Sequence, residues 1–186
     1  SGPFDERGIA ISDQRDGTPN GYHVLEVDST DVSVRFKAAG KPANFQMRIM
    51  YDVMHHQQRK DAIRDSLHGT TLDGFMSEDE VAAASILVNL FDGGPKSKVS
   101  YRVNDGNYVP MERVLRTDPY IVEQFQRYES VKKSWVQATD STHIFSADLD
   151  DSISRGTHTV TVRAIDEFGR VHHGHSILEI TGGMRG

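Results

Sequence analysis

Three histidines lie within four residues near the end of the chain, in the run His172-His173-Gly174-His175. Histidine is the commonest metal ligand in proteins, so this run is the first place to look for a metal centre. On a strand, however, His173 and His175 share one face and His172 points to the other, whereas a closed zinc site needs four ligands. We therefore predict a solvated strand, and His172, His173 and His175 are kept as weak metal candidates.

Trp135 is the single tryptophan of the chain and offers a ring on which a sugar can stack. A lone aromatic residue belongs more often to the core, so we expect Trp135 to be buried and treat it as a weak ligand-binding candidate. We expect backbone or hydroxyl partners for His143 and His158, and a loop at His55 and His56. The sequence contains no nucleophile elbow, Walker loop, dinucleotide fingerprint or His-Glu-x-x-His helix, so no catalytic residue is predicted.

The elements that carry these residues are mostly short strands. In residues 32–38 apolar side chains occupy every second position, which is the period of a half-buried strand. The same alternation in residues 45–51 directs Gln46 and Arg48 to water. Short polar connections join 22–27, 32–38 and 45–51, which favours an antiparallel meander. Further strands are predicted at 86–91, 98–103, 107–109, 141–147, 158–165 and 170–180. About nine strands indicate a mainly β chain folded as an antiparallel, Ig-like β-sandwich.

Two short helices and one long polar segment interrupt the predicted strands. Ser77, with Glu80 three residues later, has the pattern of a capping box at the start of a helix. Asp118 followed by Pro119 has the pattern of a helix cap and a first helical position. Residues 52–85, which contain the first of these helices, are predicted to form a long polar insertion.

Composition limits the classes of function. A length of 186 residues fits one domain, which we predict to span 1–186 with a flexible tail at 181–186. The formal net charge of −6 argues against a surface that binds nucleic acid. No apolar run approaches the roughly 20 residues that span a bilayer. The chain has no cysteine, which excludes disulfides and thiolate metal sites.

Several short segments, taken in their order along the chain, resemble the C-terminal domain of calcineurin-like metallophosphoesterases. They are Asp16-Gly-Thr-Pro-Asn-Gly-Tyr22, Phe36-Lys-Ala-Ala-Gly40, Gln46-Met-Arg-Ile49, Val88-Asn89, Asp105-Gly106, Met111-Glu-Arg113, Asp118-Pro119, Thr142-His-Ile-Phe145, the run 156–166 and Phe168-Gly-Arg170. The resemblance implies a β-sandwich placed behind a metal-dependent phosphoesterase domain in exported bacterial proteins. It implies divalent metal ions in that other domain. No metal ligand is carried over to this chain, because the family motifs Asp-x-His, Gly-Asp and Gly-Asn-His are absent and Gly174-His175-Ser176-Ile177 fails Gly-His-x-His at its last position.

We therefore expect a non-catalytic accessory domain without a cofactor of its own, located in the periplasm or secreted. Its expected partner is the N-terminal phosphoesterase domain of the same protein, on which it packs or which it positions; neither nucleic acid nor a membrane span is expected. The alternative is a free-standing module that binds glycans or cell-envelope polymers, with Trp135 as the stacking ring. A small metalloprotein that uses the three clustered histidines with an acid such as Glu179 ranks third. Residues 16–22 are expected to be a structural turn whose backbone angles are set by Pro19 and Gly21.

Overall fold

The computed structural model describes residues 13–53 and 74–182. Within these ranges the chain forms ten strands and two short helices. In chain order they are β1 (Gly21–Asp28), β2 (Asp31–Ala38), β3 (Met47–Val53), β4 (Phe75–Ser77), α1 (Glu78–Val81), β5 (Ala84–Leu90), β6 (Lys98–Val103), β7 (Val109–Thr117), α2 (Pro119–Arg127), β8 (Asp140–Asp148), β9 (Gly156–Ile165) and β10 (Val171–Thr181). The prediction of a mainly β chain with one or two short helices is confirmed.

Eight of the strands form a sheet in the order β3-β5-β8-β7-β6-β9-β10-β4. Strand β7 belongs to both halves of this sheet, because its first residues pair with β6 and its later residues pair with β8. The two ends of the sheet face each other: a Cβ atom on Gly174 of β10 would lie 2.7 Å from the Sδ of Met47 on β3. The sheet is thus folded into two layers along β7, which confirms the predicted sandwich. We call β3, β5, β8 and the second half of β7 the first layer.

The main core lies between the two layers. Alternate residues of the first layer point into it, and alternate residues of β6, β9 and β10 meet them from the other side, as the two-residue period of strands requires. Fully buried members include Tyr51, Ile86, Val88, Phe145, Val160, Val162, Ala164, Leu178 and Ile180.

The first layer is also covered on its outer face. Met50, Leu87 and Ile144 are buried there, and Tyr120 at the start of α2 packs against them. Strands buried on both faces read as nearly continuous apolar runs, which is what β5 shows in residues 84–90. The outer face of the first layer therefore carries a second, smaller core beneath α2.

The expected meander is wrong at its third strand. Strands β1 and β2 form a separate two-stranded antiparallel sheet, and β3 pairs with β5 instead of β2. The physical reason is burial. Strand β3 presents buried residues on both faces and so requires a neighbour that is also buried on both faces, whereas the buried residues of β2, Phe36 and Ala38, share one face.

The predicted polar insertion at 52–85 is ordered at both of its ends. Asp52 and Val53 complete β3, and β5 begins at Ala84. Strand β4 also falls within the insertion and pairs in parallel with β10, so one pair in the sandwich is not antiparallel. Residues 54–73, which include His55 and His56, lie outside the described residues. At the other predicted irregular segment, 181–186, strand β10 extends to Thr181 and residues 183–186 lie outside the described residues.

Both helix starts agree with the sequence. The Ser77 amide donates to Glu80 Oε2 at 2.8 Å, which is one half of the predicted capping box. The Asp118 carboxylate accepts a hydrogen bond from the Tyr120 amide at 2.8 Å, and Pro119 is the first residue of α2. Neither helix in the described part of the chain is long and apolar enough to cross a membrane.

The second core predicts that two apolar residues on neighbouring strands contribute differently to the free energy of unfolding. Ile144 has no exposed surface, whereas Leu115 on the adjacent strand β7 is 69% exposed. We expect Ile144→Ala to lower the free energy of unfolding by about 2–5 kcal/mol, because it leaves a cavity under α2. Leu115→Ala should change it by less than about 0.5 kcal/mol. Urea denaturation of both variants measures this, and equal effects would contradict the assigned outer core.

Candidate functional site

Polar side chains converge on the outer face of the first layer. Arg48 on β3 and Asn89 on β5 are directly paired across the two strands, and both point outward because their neighbours point into the main core. The N-cap of α2 places Asp118 above them. We call Asp13, Arg48, Asn89, Asp118 and Tyr120 the Arg48 cluster.

Arg48 is the centre of this cluster. Its Nη2 lies 3.0 Å from Asp13 Oδ2, and its Nη1 lies 3.6 Å from Asp118 Oδ2. Nη1 also donates to the carbonyl oxygen of Gly17 at 2.6 Å. The guanidinium carbon stands 3.6 Å from the centroid of the Tyr120 ring, a stacking arrangement that suits the planar guanidinium. Arg48 thus binds the loop before β1 and the start of α2 together.

Asp118 is the most deeply buried charged group of the cluster. Its side chain has no exposed surface, and its Oδ2 accepts from Asn89 Nδ2 at 2.6 Å. Burial raises the pKa of Asp118 above its ordinary value of 3.8, although the Asn89 amide, the Arg48 charge and the Tyr120 amide act against this. Burial likewise raises the pKa of Asp13 against the effect of Arg48. The pKa of Tyr120 rises to about 12, first through burial and then through the charge of Asp13.

The Arg48 cluster fixes the loop at residues 13–20. Asp16 Oδ1 accepts from the Thr18 amide at 3.0 Å, and Gly17 takes a φ of +85°, which favours glycine. A side chain on Gly17 would overlap the Asp118 carboxylate. The predicted structural turn is confirmed for residues 16–20, whereas Gly21 and Tyr22 belong to β1, and Gly17 rather than Gly21 supplies the left-handed angle. Gly21 is required for a close approach instead, since a Cβ there would lie 2.6 Å from the Phe36 ring.

Two predictions about β3 are corrected here. Gln46 and Arg48 were expected to face water, but Gln46 is 5% exposed and the Arg48 side chain 15%. Gln46 Nε2 donates to the carbonyl oxygens of Phe36 and Ala43, and Arg48 is covered by α2 and the loop before β1. Strand alternation assigns these residues to the outer face correctly, but it carries no information on what covers that face.

The three clustered histidines do not meet. His172 Nε2 lies 3.1 Å from Asp166 Oδ2, whereas His173 and His175 are exposed on the opposite face of β10. The ring of His175 reaches Thr161 Oγ1 at 3.3 Å. Among residues 13–53 and 74–182 no group of three or more His, Asp or Glu side chains is arranged to hold a metal ion. The His, Asp and Glu side chains of these two ranges therefore do not fit the two-metal centre of a phosphoesterase.

His143 and His158 have the backbone partners expected of them. His143 Nδ1 lies 2.7 Å from the carbonyl oxygen of Gly93, and His158 Nε2 lies 2.7 Å from that of Ser154. These two predictions are confirmed. Trp135, by contrast, was expected in the core and is 67% exposed, which is an error of the sequence analysis. Its ring is partly covered by Lys133, whose Nζ lies 5.3 Å from the ring centroid.

An open cleft of about 350 Å³ lies between the base of the β1–β2 hairpin and the turn after β9. Asp166 organises that turn: its Oδ1 accepts from the amides of Phe168 and Arg170, and its Oδ2 accepts from Arg170 Nε and faces His172. Burial acts to raise the pKa of Asp166, but the hydrogen bonds from His172 and Arg170 outweigh it and lower the pKa. This cleft was not predicted from the sequence, because its lining comes from five separate segments of the chain.

A comparison with protein families gave a match. The model of the MetallophosC family, described as the C terminal of calcineurin-like phosphoesterase, matches residues 1–172. The chain belongs to this family. Comparison with curated proteins and with solved structures gave no match.

The segments in which this MetallophosC domain resembles its family are far apart in sequence, yet four of them meet at the Arg48 cluster. The turn at 16–22, the run that contains Arg48, the pair Val88-Asn89 and the pair Asp118-Pro119 all contribute to it. His143, from a further segment, approaches Asp16 at 3.9 Å. The sequence signal that could have revealed the cluster was therefore present: polar residues inside otherwise apolar strands, within the segments that carry the resemblance.

Two glycines with nearly equal φ angles test whether the contact between Gly17 and Asp118 stabilises the loop at residues 13–20. Gly17 has a φ of +85° and Gly169 a φ of +82°, but a Cβ on Gly169 meets no atom within 4 Å. Gly169→Ala should lower the free energy of unfolding by about 1–2 kcal/mol, the cost of the left-handed angle. Gly17→Ala should cost about 1–3 kcal/mol more, because it also displaces Asp118. Equal losses in urea denaturation would show that the contact with Asp118 is unimportant.

The raised pKa of Asp118 predicts a pH dependence. The carboxyl group of Asp118 binds its proton more tightly in the folded state than in the unfolded state. Protonated Asp118 therefore contributes fully to the free energy of unfolding below pH 3.8, and this contribution is lost as the pH rises through the folded pKa. We compare the unfolding free energies of the unsubstituted protein and Asp118→Asn in urea between about pH 3 and pH 7. Their difference, unsubstituted minus variant, should fall as the pH rises above 3.8.

Asp166→Asn is the control, because the pKa of Asp166 is shifted in the opposite direction to that of Asp118. The folded pKa of Asp166 is lowered, so its stabilisation is present above pH 3.8 and is lost as the pH falls through the folded pKa. The difference between the unsubstituted protein and this variant should therefore grow as the pH rises toward 3.8. Slopes of the same sign for both variants would contradict the assigned environments.

Proposed function

We propose that this chain is the non-catalytic C-terminal accessory domain of an exported bacterial calcineurin-like metallophosphoesterase. In this proposal the domain packs on, or positions, the phosphoesterase domain that precedes it. The observation that carries the proposal is the family match, which spans residues 1–172 of the 186. A β-sandwich by itself hosts many functions, so the fold alone does not support this one.

The way in which the chain uses its charged groups supports an accessory role. Arg48 and Asp118 bind the loop before β1 to α2, and Asp166 and Arg170 close the turn after β9. A reacting site needs charged groups directed at a ligand in an accessible pocket. Among the described residues, these four charged groups instead contact one another and the backbone of the chain, where they hold loops in place.

The metal chemistry of the proposed parent enzyme belongs to its other domain. Two-metal phosphoesterases hold cations about 3.5–4 Å apart with carboxylate and imidazole ligands. In this proposal the phosphoesterase domain supplies those ligands, and the protein acts in the periplasm or outside the cell. The location is supported by the family resemblance alone, and fractionation of cells that express the full-length protein tests it.

The catalytic part of the proposal is tested by comparing three proteins: the 186-residue chain, the full-length polypeptide and the phosphoesterase domain alone. With Mn²⁺ and a nitrophenyl phosphodiester, the 186-residue chain should give no turnover above a blank. Removing the accessory domain should lower the temperature at which the phosphoesterase loses activity, by roughly 2–4 °C for each kcal/mol of lost contact.

A double variant of the surface histidines is the control for contaminating or intrinsic activity. Metal-dependent turnover by the chain that disappears in His173→Ala/His175→Ala would overturn the non-catalytic assignment. Identical activity and thermal inactivation with and without the accessory domain would overturn the packing role.

A further inference from the structure

Basic side chains gather on the outer face of the second half of the sandwich. We call β6, β9, β10 and the first half of β7 the second layer. The core-facing residues of its strands alternate with residues that point away from the core. The outward residues include Arg102 on β6, Arg163 on β9, and His173 and His175 on β10. We call these four residues the Arg163 patch.

Strand pairing sets the Arg163 patch in two neighbouring rows. Arg163 is directly opposite His173, and Thr161 is directly opposite His175 on one side and Arg102 on the other. Directly opposed residues have Cβ atoms about 4.5–5.5 Å apart, and diagonal neighbours about 7–8 Å. Arg102 and His175 flank the central strand β9 and are about 10 Å apart. These distances allow two long arginine side chains and two imidazoles to contact one small ligand.

Arg102 and Arg163 have no acidic partner within residues 13–53 and 74–182. Their guanidinium carbons lie 5.1 and 4.8 Å from the centroid of the Tyr108 ring, and Arg102 Nε is buried without a hydrogen-bond partner. Other arginines of the chain pair with a carboxylate, as Arg116 does with Asp52 at 2.6 Å. Like charges on neighbouring strands repel each other, so the Arg163 patch lacks a counter-charge.

Two neutral residues support the basic groups. The half-buried ring of Tyr108 lies beside both guanidinium groups, and contact with a ring face leaves guanidinium N–H groups available at the edge. Thr161 is 8% exposed, and its Oγ1 lies 3.3 Å from Nδ1 of His175. This contact leaves Nε2 of His175 as the ring nitrogen available to a ligand.

The positive charge is confined to a small area. On β9 and β10 the rows on either side are uncharged: Ile165 with Val171, and Thr159 with Ile177. Further charged residues at the margin of this face, or in the turn beside it, are Lys98, Asp105, Glu112 and Glu179. Glu179 is four residues beyond His175, about 13 Å along an extended strand. By charge complementarity, this arrangement fits one compact anion better than an extended polyanion.

The types of the basic side chains indicate the class of anion. A guanidinium donates two parallel hydrogen bonds to a phosphate or a carboxylate. An imidazole N–H donates one more, and histidine becomes positively charged as the pH falls below about 6.5. Donors from four separate side chains exceed what the two oxygens of a carboxylate require, whereas a phosphate group offers its oxygens in several directions. The chemistry therefore favours a phosphate group.

We propose that the Arg163 patch is a binding site for a single phosphate group, held by Arg102, Arg163, His173 and His175. The site binds the anion and carries out no reaction on it. This inference goes beyond the proposed function and does not depend on it, since the four residues would bind the same anion whether or not the chain packs on a phosphoesterase domain.

Calorimetric titration of the 186-residue chain with inorganic phosphate, at constant ionic strength, tests the site. We expect saturable binding of one phosphate per chain at about pH 6.5. Arg102→Gln/Arg163→Gln should weaken it at least about tenfold, because the lost hydrogen bonds join charged groups. Arg127→Gln/Arg155→Gln is the matched control: it removes the same charge from two exposed arginines on other elements and should leave the affinity unchanged.

Sulfate tests the contribution of the histidines separately. It stays a dianion between about pH 5.5 and pH 8, the range in which histidine changes its charge, so the ligand itself does not titrate. The affinity for sulfate should rise at least about threefold as the pH falls across this range. His173→Ala/His175→Ala should remove the rise, because the arginines keep their charge throughout.

Three outcomes would overturn the proposal. The first is the absence of saturable phosphate binding. The second is an equal loss of affinity in the two double-arginine variants, which would show general attraction to a positive charge. The third is a sulfate affinity that does not change with pH, which would remove His173 and His175 from the site. If Arg102→Gln/Arg163→Gln does not fold, Arg163→Gln alone decides, since Arg163 is exposed, and an unchanged phosphate affinity in that variant contradicts the site.

Discussion

The contact of Arg48 with Asp118 is the interaction on which the rest of the arrangement depends. It joins the loop at 13–20, strand β3 and the start of α2, and Asn89 adds strand β5 to the same point. Arg48 also stands over the Phe91 ring, which supports the base of the hairpin through Phe36. The first hairpin and the start of α2 are therefore linked through one guanidinium, whose side chain is 15% exposed.

Such a cluster is not an efficient source of stability. Removing a charge from water costs several kcal/mol, and the attraction between the partners roughly offsets this cost when the geometry is good. Losing one partner is different, since an uncompensated buried charge destabilises by about 3–5 kcal/mol. The raised pKa of Asp118 is the same desolvation cost seen through protonation. An apolar cluster at this place would hold the elements together, but it would not fix the Gly17 carbonyl and the Tyr120 amide at defined positions as Arg48 and Asp118 do.

Local signals in the sequence were sufficient for much of the fold. Strand β6 was predicted with its observed bounds, and the Asp118 cap of α2 was found because capping needs only neighbouring residues. Pairing was harder. Strand β4, with three residues, has too little pattern to be recognised, and it exists because it extends the edge of β10. The partner of β3 was missed because β5 lies more than thirty residues further along the chain, and only burial on both faces distinguishes it from β2.

The candidate sites show the same limit. His172, His173 and His175 attracted attention because they are adjacent in sequence, yet the strand separates them onto two faces. The Arg48 cluster was not predicted, because its members come from four separate segments and Arg48 resembles an ordinary outward-facing strand residue. Side-chain type and spacing reveal a site when its residues are local. They do not reveal one that the tertiary fold assembles.

The hairpin presents the opposite case, in which the sequence pattern is clear and the described structure does not satisfy it. Alternation at Val32, Val34 and Phe36 predicts a buried face, and burial falls from the base to the tip of that face. Leu115 and Trp135 are as exposed, but they stand on other elements, and single exposed apolar residues need no explanation. Three such residues on one face of the outer half of a hairpin do need one. Local patterning and global packing usually agree in a foldable sequence, and among the described residues they disagree at the outer half of this hairpin.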